Sequence, residues 1–229
     1  MQSLDVLANN LANSATSGFK RDTEYYSIAN PEDSSDSPSL PVVQRQWTDF
    51  SQGTLQVTGN PMDVALNGTG FLVVNGKSGP LYTRNGNLQV LSNGTLGTGQ
   101  GYAVQDAVTG QPIAITPNQP LDISTDGTIT QNGAAVGQLK VVNFANLQSL
   151  NKVGNDGFQN VDPKNVPTAA TLATTQVQQG KIEDSNVPVT EAAMHLVGVM
   201  RQFEMLQKAV GISNEMDTKT IQEVARVGS

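Results

Sequence analysis

Few residues in this chain have the type and spacing that chemistry needs. There is one histidine, His195, and no cysteine. The missing thiols remove thiolate catalysis, disulfides and cysteine-bound metal centres. A lone imidazole is too little for a histidine-rich metal site, or for a nucleophilic triad with any redundancy. Its place beside Leu196 suits a helix surface or a contact between subunits. Paired carboxylates remain as a route to glycoside hydrolysis, and Asp63, Asp106, Asp122, Asp126 and Asp156 are the candidates. Most stand in or beside turn sequences, where aspartate is favoured for hydrogen bonds to nearby backbone. Gly97-Thr98-Gly99-Gln100-Gly101 has the look of a nucleotide loop. A dinucleotide fingerprint opens a helix, however, and Tyr102-Ala103-Val104 reads as strand. Asn67-Gly68-Thr69 and Asn93-Gly94-Thr95 fit the glycosylation sequon but coincide with hairpin turns. No catalytic residue, cofactor or metal ligand is expected.

Composition narrows the partners. The 229 residues carry 13 Lys+Arg against 20 Asp+Glu, a net charge of −7. The longest basic run is Lys20-Arg21. With no basic stripe to release counterions from phosphate, nucleic acid is not an expected partner. An anionic membrane surface is disfavoured for the same reason. The longest apolar runs, such as Phe71–Val74, have four residues. A spanning helix needs about 20, so no membrane insertion is expected. The start, Met1-Gln2-Ser3-Leu4-Asp5, has neither the basic nor the apolar part of a cleaved signal peptide. Absence of cysteine also suits a chain that crosses a membrane unfolded.

Three kinds of element must position these residues. Leu4, Leu7 and Leu11 form a helical stripe in residues 1–13. Asn13–Gly18 breaks it, with Gly18 suited to a left-handed turn. Residues 30–41 are a polar, Pro- and Ser-rich link. Residues 51–180 hold short alternating segments separated by five Asn-Gly pairs, with Asp126-Gly127 and Asp156-Gly157 in addition. These pairs tolerate the positive φ angles of type I′ turns, so they signal an antiparallel sandwich or barrel-like domain. From Val189 the pattern changes: Val189, Ala192, Leu196, Val199, Phe203, Leu206 and Val210 recur in steps of three and four. That is the a/d seam of a coiled coil. Thr190 is the expected helix cap, and Glu191 complements the dipole. The helix is expected to reach about Arg226, with a shift of face near Gly211.

Magnitudes decide what the seam is for. Full burial of Leu196, Val199, Phe203, Leu206 and Val210 stabilises by about 1.5–3 kcal/mol each. Fixing the backbone costs about 1–2 kcal/mol per residue along the whole helix. Intrahelical hydrogen bonds offset part of that, yet a solitary helix is poorly stable. The N-terminal stub covers only a few turns, so the rest must meet other chains, with folding coupled to assembly. The plainer alternative is an amphipathic helix packed on its own domain. A secreted β-rich adhesin or carbohydrate-binding module also stands open. It requires an exposed aromatic platform, and the single tryptophan, Trp47, lies beside the link rather than in the β domain.

Several stretches, in order, resemble one family. Leu7–Lys20 resembles the "ANNLAN-x-x-T-x-GFK" signature of the axial proteins of the flagellar rod and hook. Gly53-Thr54-Leu55, Asn60–Leu66 and Gly70–Val74 resemble its "G-x-L-x-x-T-x-x-P-x-D-V-A-L…G-F-x-V" run. Tyr82–Leu88 is similar to "Y-T-R-x-G-x-F", with Leu88 for the usual Phe. Gln179–Val187 resembles "Q-G-x-L-E-x-S-N-V", and Arg201–Glu204 resembles "R-x-[FY]-E". The wording and length lean toward rod rather than hook subunits.

The resemblance implies an α+β fold: an antiparallel β-rich central domain flanked by N- and C-terminal helices that pair as a coiled-coil-like assembly domain. It places the N-terminal helix and turn in residues 1–29, a linker in 30–50, the β-rich outer domain in 51–180, and the return segment with the assembly helix in 181–229. The implied partners are copies of this chain, other flagellar rod subunits and the flagellar type III export apparatus. The implied location is the periplasmic rod of the basal body, reached without a cleaved signal. The implied assembly interface is Leu4, Leu7, Asn9, Asn10, Leu11, Asn13, Gly18 and Phe19 with Leu196, Val199, Phe203, Leu206 and Val210. Family members carry about twenty further residues before the first motif, between five and six helical turns; here Met1 falls inside that helix.

Overall fold

The computed structural model describes residues 2–28, 41–117 and 119–227. It is α+β and divides into two compact units, one made of the chain up to Leu11 and from Pro188 onward, the other of Ala12–Val187. Both helices, α1 (Gln2–Ala12) and α2 (Val189–Val227), belong mainly to the first unit. The 39 residues of α2 form one continuous helix, about 60 Å long at 1.5 Å per residue. At its start the Ala192 amide donates to the Pro188 carbonyl at 2.9 Å. Thr190 therefore lies inside the first turn, not at the cap. Proline fits just ahead of a helix because its missing N–H has no intrahelical partner there.

Apart from a short 3-10 turn at Leu147–Ser149, the regular structure described in the second unit is antiparallel sheet. Its strands are β1 (Asp22–Ile28), β2 (Pro41–Thr48), β3 (Leu55–Val57), β4 (Val64–Gly68), β5 (Phe71–Gly76), β6 (Gly79–Thr83), β7 (Leu88–Val90), β8 (Leu96–Thr98), β9 (Leu121–Ile123), β10 (Thr128–Gln131), β11 (Ala134–Gln138), β12 (Val141–Asn143), β13 (Leu150–Val153), β14 (Gly157–Asn160), β15 (Thr168–Ala169), β16 (Thr175–Gln179) and β17 (Lys181–Glu183). The largest sheet has the order β13-β14-β6-β5-β12-β15. β5 explains the apolar run in the sequence. Leu72 and Val74 face one core with Leu66, Leu96, Val104 and Ile129. Phe71 and Val73 face another with Tyr82, Phe144 and Phe158. A strand buried on both faces has no polar alternation.

Three departures from the sequence reading have physical causes. Residues 41–48, expected as linker, form β2 and pair with β1 from Asp22↔Thr48 to Ile28↔Pro41. Val42, Val43, Trp47 and Thr48 are residue types that favour a pleated surface. Residues 30–40 of the expected link lie outside the described residues. Tyr102–Val104 and Ile113–Ile115 join the unit through isolated bridges, including Gly97↔Ala103, Val74↔Val104 and Thr95↔Ala114, rather than as named strands. Among the described Asn-Gly pairs, only Asn132-Gly133 has both residues at positive φ, 50° and 79°, as a type I′ turn requires. Gly86 is glycine for another reason: a Cβ there would lie 1.6 Å from the Val64 carbonyl oxygen.

Candidate functional site

The expected interface residues fall into two groups, one in each unit. On α1, Leu4, Leu7 and Leu11 are half-buried, Asn9 is exposed and Asn10 is buried. On α2, Ala192 is buried and Leu196 and Val199 are half-buried. Coverage then ends. Every residue from Met200 to Ser213 is exposed, Phe203 at 44%, Leu206 at 65% and Val210 at 60%. Met205 and Ile212 are exposed on the same stretch. The helix backbone runs through Gly211 without a break. His195 is exposed on α2 and lines a shallow groove with Glu191, Met194 and Gly198.

Asn13, Gly18 and Phe19 sit in the β unit, at a joint the sequence reading did not assemble. The Asn13 carbonyl accepts the Thr16 amide at 3.1 Å, and the Thr16 carbonyl accepts the Phe19 amide at 3.2 Å. That tight turn brings Gly18 to φ +71°, with its amide donating to the Glu183 carbonyl at 2.7 Å. Phe19 is fully buried, and the Lys152 ammonium lies 4.2 Å from its ring centroid. Lys152 also pairs with Asp22 at 2.7 Å.

Behind this turn lies a buried ionic triad. The Lys20 ammonium pairs with Glu183 Oε1 and donates to the Ser51 carbonyl at 2.7 Å. Arg84 Nη1 reaches Glu183 Oε2 at 3.1 Å, and Nη2 donates to the Gly68 carbonyl at 2.8 Å. The Gly53 amide completes the carboxylate shell at 3.0 Å from Oε1. Lys20 and Glu183 are each 0% exposed and Arg84 is 4% exposed. Burial pulls Lys20 below the usual lysine range, with the Glu183 carboxylate opposing. Asn186 fastens the same joint. Its Oδ1 accepts the Arg21 amide at 2.8 Å, and its Nδ2 donates to the Asp49 carbonyl at 2.8 Å. The carboxyl of Asp49 is opposed by burial, but the Ser51 amide and hydroxyl and Arg21 hold it below the usual range.

Lys20, Arg84 and Glu183 each belong to a different quoted motif, and Asn186 shares that of Glu183. Those motifs converge on one joint, where the chain enters the β unit from α1 and leaves it toward α2. The available signal was the rarity of charge: only 14% of residues are charged, so a charged residue inside a strand-rich stretch demands a partner.

The candidate carboxylates serve turns. Asp63 Oδ1 accepts Asn60 at 3.1 Å and Asn87 at 3.2 Å. Asp106 accepts the Gln138 and Thr109 amides, both at 2.8 Å, and the Gln138 bond first of all holds its carboxyl below the usual range. Asp126 accepts the Thr128 amide at 3.0 Å, which lowers it likewise. Asp156 accepts Asn85 and Gln100, and Asp122 is exposed on β9. Among the described residues, no three His, Asp or Glu side chains gather where a metal ion would sit, and no helix is long and apolar enough to cross a membrane.

A β-rich body whose two exits meet at one joint, joined to two terminal helices, defines a class of structural subunit. Comparison with known proteins gives the family. The flagellar hook protein FlgE/F/G D1 domain matches residues 65–131, and the flagellar basal body rod FlgEFG protein C-terminal matches residues 178–223. The flagellar basal-body rod protein FlgG of Buchnera aphidicola subsp. Schizaphis graminum is 32% identical over 245 residues, covering 96% of this chain and 93% of that protein. FlgF of Caulobacter vibrioides is 30% identical, covering 98% of this chain and 92% of that protein. FlgF of Salmonella typhimurium is 32% identical over 95% of this chain and 90% of its own length. The chain belongs to the flagellar basal-body rod protein family. Arg84 and Glu183 fall within the two matched stretches.

Proposed function

We propose that this chain is a structural subunit of the flagellar basal-body rod, acting by packing rather than catalysis. α1 and α2 supply the contacts to copies of the chain and to other rod subunits, pairing in the manner of a coiled coil. The terminal helices line the export channel, and the β unit packs outside them, so torque passes through the polymer. The subunit leaves the cell unfolded through the flagellar type III export apparatus, without a cleaved signal, and takes its place in the periplasmic rod. Relatives of both FlgF and FlgG names match it. The Pro61–Leu66 wording, Arg201–Met205 and the chain length favour the FlgF type.

One observation carries this reading: α2 leaves Phe203, Leu206 and Val210 exposed along one helix, whereas the β unit gathers most of its large apolar residues into two cores and exposes the others, such as Val57 and Val108, at scattered positions. Each of the three gains about 1.5–3 kcal/mol when a partner covers it. Phe203→Asp, expressed in a strain lacking its own copy, should leave the thermal unfolding of the β unit unchanged and abolish motility. A motile strain would count against the seam as the assembly surface.

A further inference from the structure

The triad is unbalanced. Two buried cations, Lys20 and Arg84, share the single carboxylate of Glu183. The other charged groups nearby come in pairs: Asp49 with Arg21 at 3.0 Å, and Lys152 with Asp22 across the Phe19 ring. One positive charge is therefore in surplus in the interior, where an uncompensated charge is costly.

The three members are also unequal. Without Lys20, Arg84 and Glu183 still form a balanced pair, and Oε1 keeps the Gly53 amide. The Ser51 carbonyl keeps Asn186 Nδ2 at 3.2 Å. No buried group loses its last partner. Without Glu183, two cations are left facing each other in the core.

We propose that Lys20 makes docking of the segment 12–21 a separately releasable latch, which opens while the Arg84–Glu183 pair and the rest of the β unit stay folded. The latch is held by Phe19 burial, by the Lys20–Glu183 and Arg21–Asp49 ion pairs, and by hydrogen bonds that include Gly18 amide to Glu183 carbonyl at 2.7 Å, Asp49 amide to Arg21 carbonyl at 2.9 Å, Asn186 amide to Phe19 carbonyl at 3.4 Å, Arg21 amide to Asn186 Oδ1 at 2.8 Å and Lys20 ammonium to Ser51 carbonyl at 2.7 Å. The surplus charge works against these contacts, so the segment opens at lower cost than the sheets. The proton linkage has a definite sign. Docking weakens proton binding at Lys20 below the ordinary value of 10.5, and the released segment binds more protons. Docking is therefore tightest above 10.5 and weakens as pH falls from there to the docked value, below which it levels off.

The test is amide hydrogen exchange on the full-length subunit in solution, which does not depend on rod assembly. Opening equilibria at Gly18 and Phe19 are compared with those at core amides such as Val73 and Val104, at pH 7, after correction for intrinsic exchange. In the parent protein the latch amides should open at least about tenfold more readily than the core. Lys20→Met should protect Gly18 and Phe19 at least as well as the parent. Glu183→Gln should lose about tenfold or more of that protection. The proposal is overturned if Lys20→Met loses protection as Glu183→Gln does, if it fails to fold, or if latch and core amides of the parent open together.

Discussion

Gly18 shows how little freedom the joint leaves a single residue. Its φ is +71°, and a Cβ would lie 2.4 Å from both the Arg84 carbonyl carbon and the Asn85 nitrogen. Gly18→Ala should lower stability by about 2 kcal/mol or more, seen as a lower urea midpoint at unchanged slope. The turn was legible because Gly18 follows a helical stripe and a polar breaker. Lys20 was not, since its partner Glu183 lies 163 positions away and no local rule connects them. Asp106 was legible as a turn builder through the adjoining Thr109-Gly110, but its bond to the Gln138 amide depends on the tertiary fold. Asp106→Asn should cost about 1.5 kcal/mol at pH 7, because hydrogen bonds to a charged acceptor are the stronger kind. It should also flatten the loss of stability in acid, measured by urea midpoints across pH.

At the scale of elements, α2 joins a clear pattern to an incomplete environment. Gly198 and Gly211 sit in its interior with nothing within 4 Å of the place a Cβ would take. Gly211→Ala should raise the helicity of the isolated subunit by stabilising the helix about 1 kcal/mol, read from the circular dichroism near the helix minimum. The helix and its seam were legible because a 3–4 spacing repeats over seven positions. β3 to β7, β9, β10 and β12 were legible through apolar alternation and Asn-Gly punctuation, whereas the short β8 was not. β13 to β17 escaped because their buried residues are sparse: Leu150 and Phe158 are separated by polar chain, and β16 turns Thr175 inward beside Val177. β1 and β2 escaped because a polar Pro- and Ser-rich stretch stands between them in sequence, although their own residues favour strand.

For the whole molecule, stability should fall in acid. Asp49, Asp106 and Asp126 all have carboxyls held below the ordinary value of 3.8. Their contribution is present in full above the unfolded value and is lost as pH falls through the folded ones. Urea midpoints should therefore be flat from neutrality down to about pH 5 and drop below about pH 4; a midpoint unchanged at pH 3 would contradict the assignment. The division of labour between β-rich body and terminal helices was readable from composition and periodicity. The joint between entry and exit was not, because it is made by four separate stretches that meet only after the sheets have closed.

That joint has a consequence for lineage. The chain enters the β unit and leaves it through neighbouring backbone, bound directly from Gly18 to Glu183. Whatever is strung between behaves like cargo behind a single doorway. Mutation can lengthen, shorten or replace it over generations without rerouting either terminus, so ornament on the body and fidelity of the ends are free to evolve at different speeds.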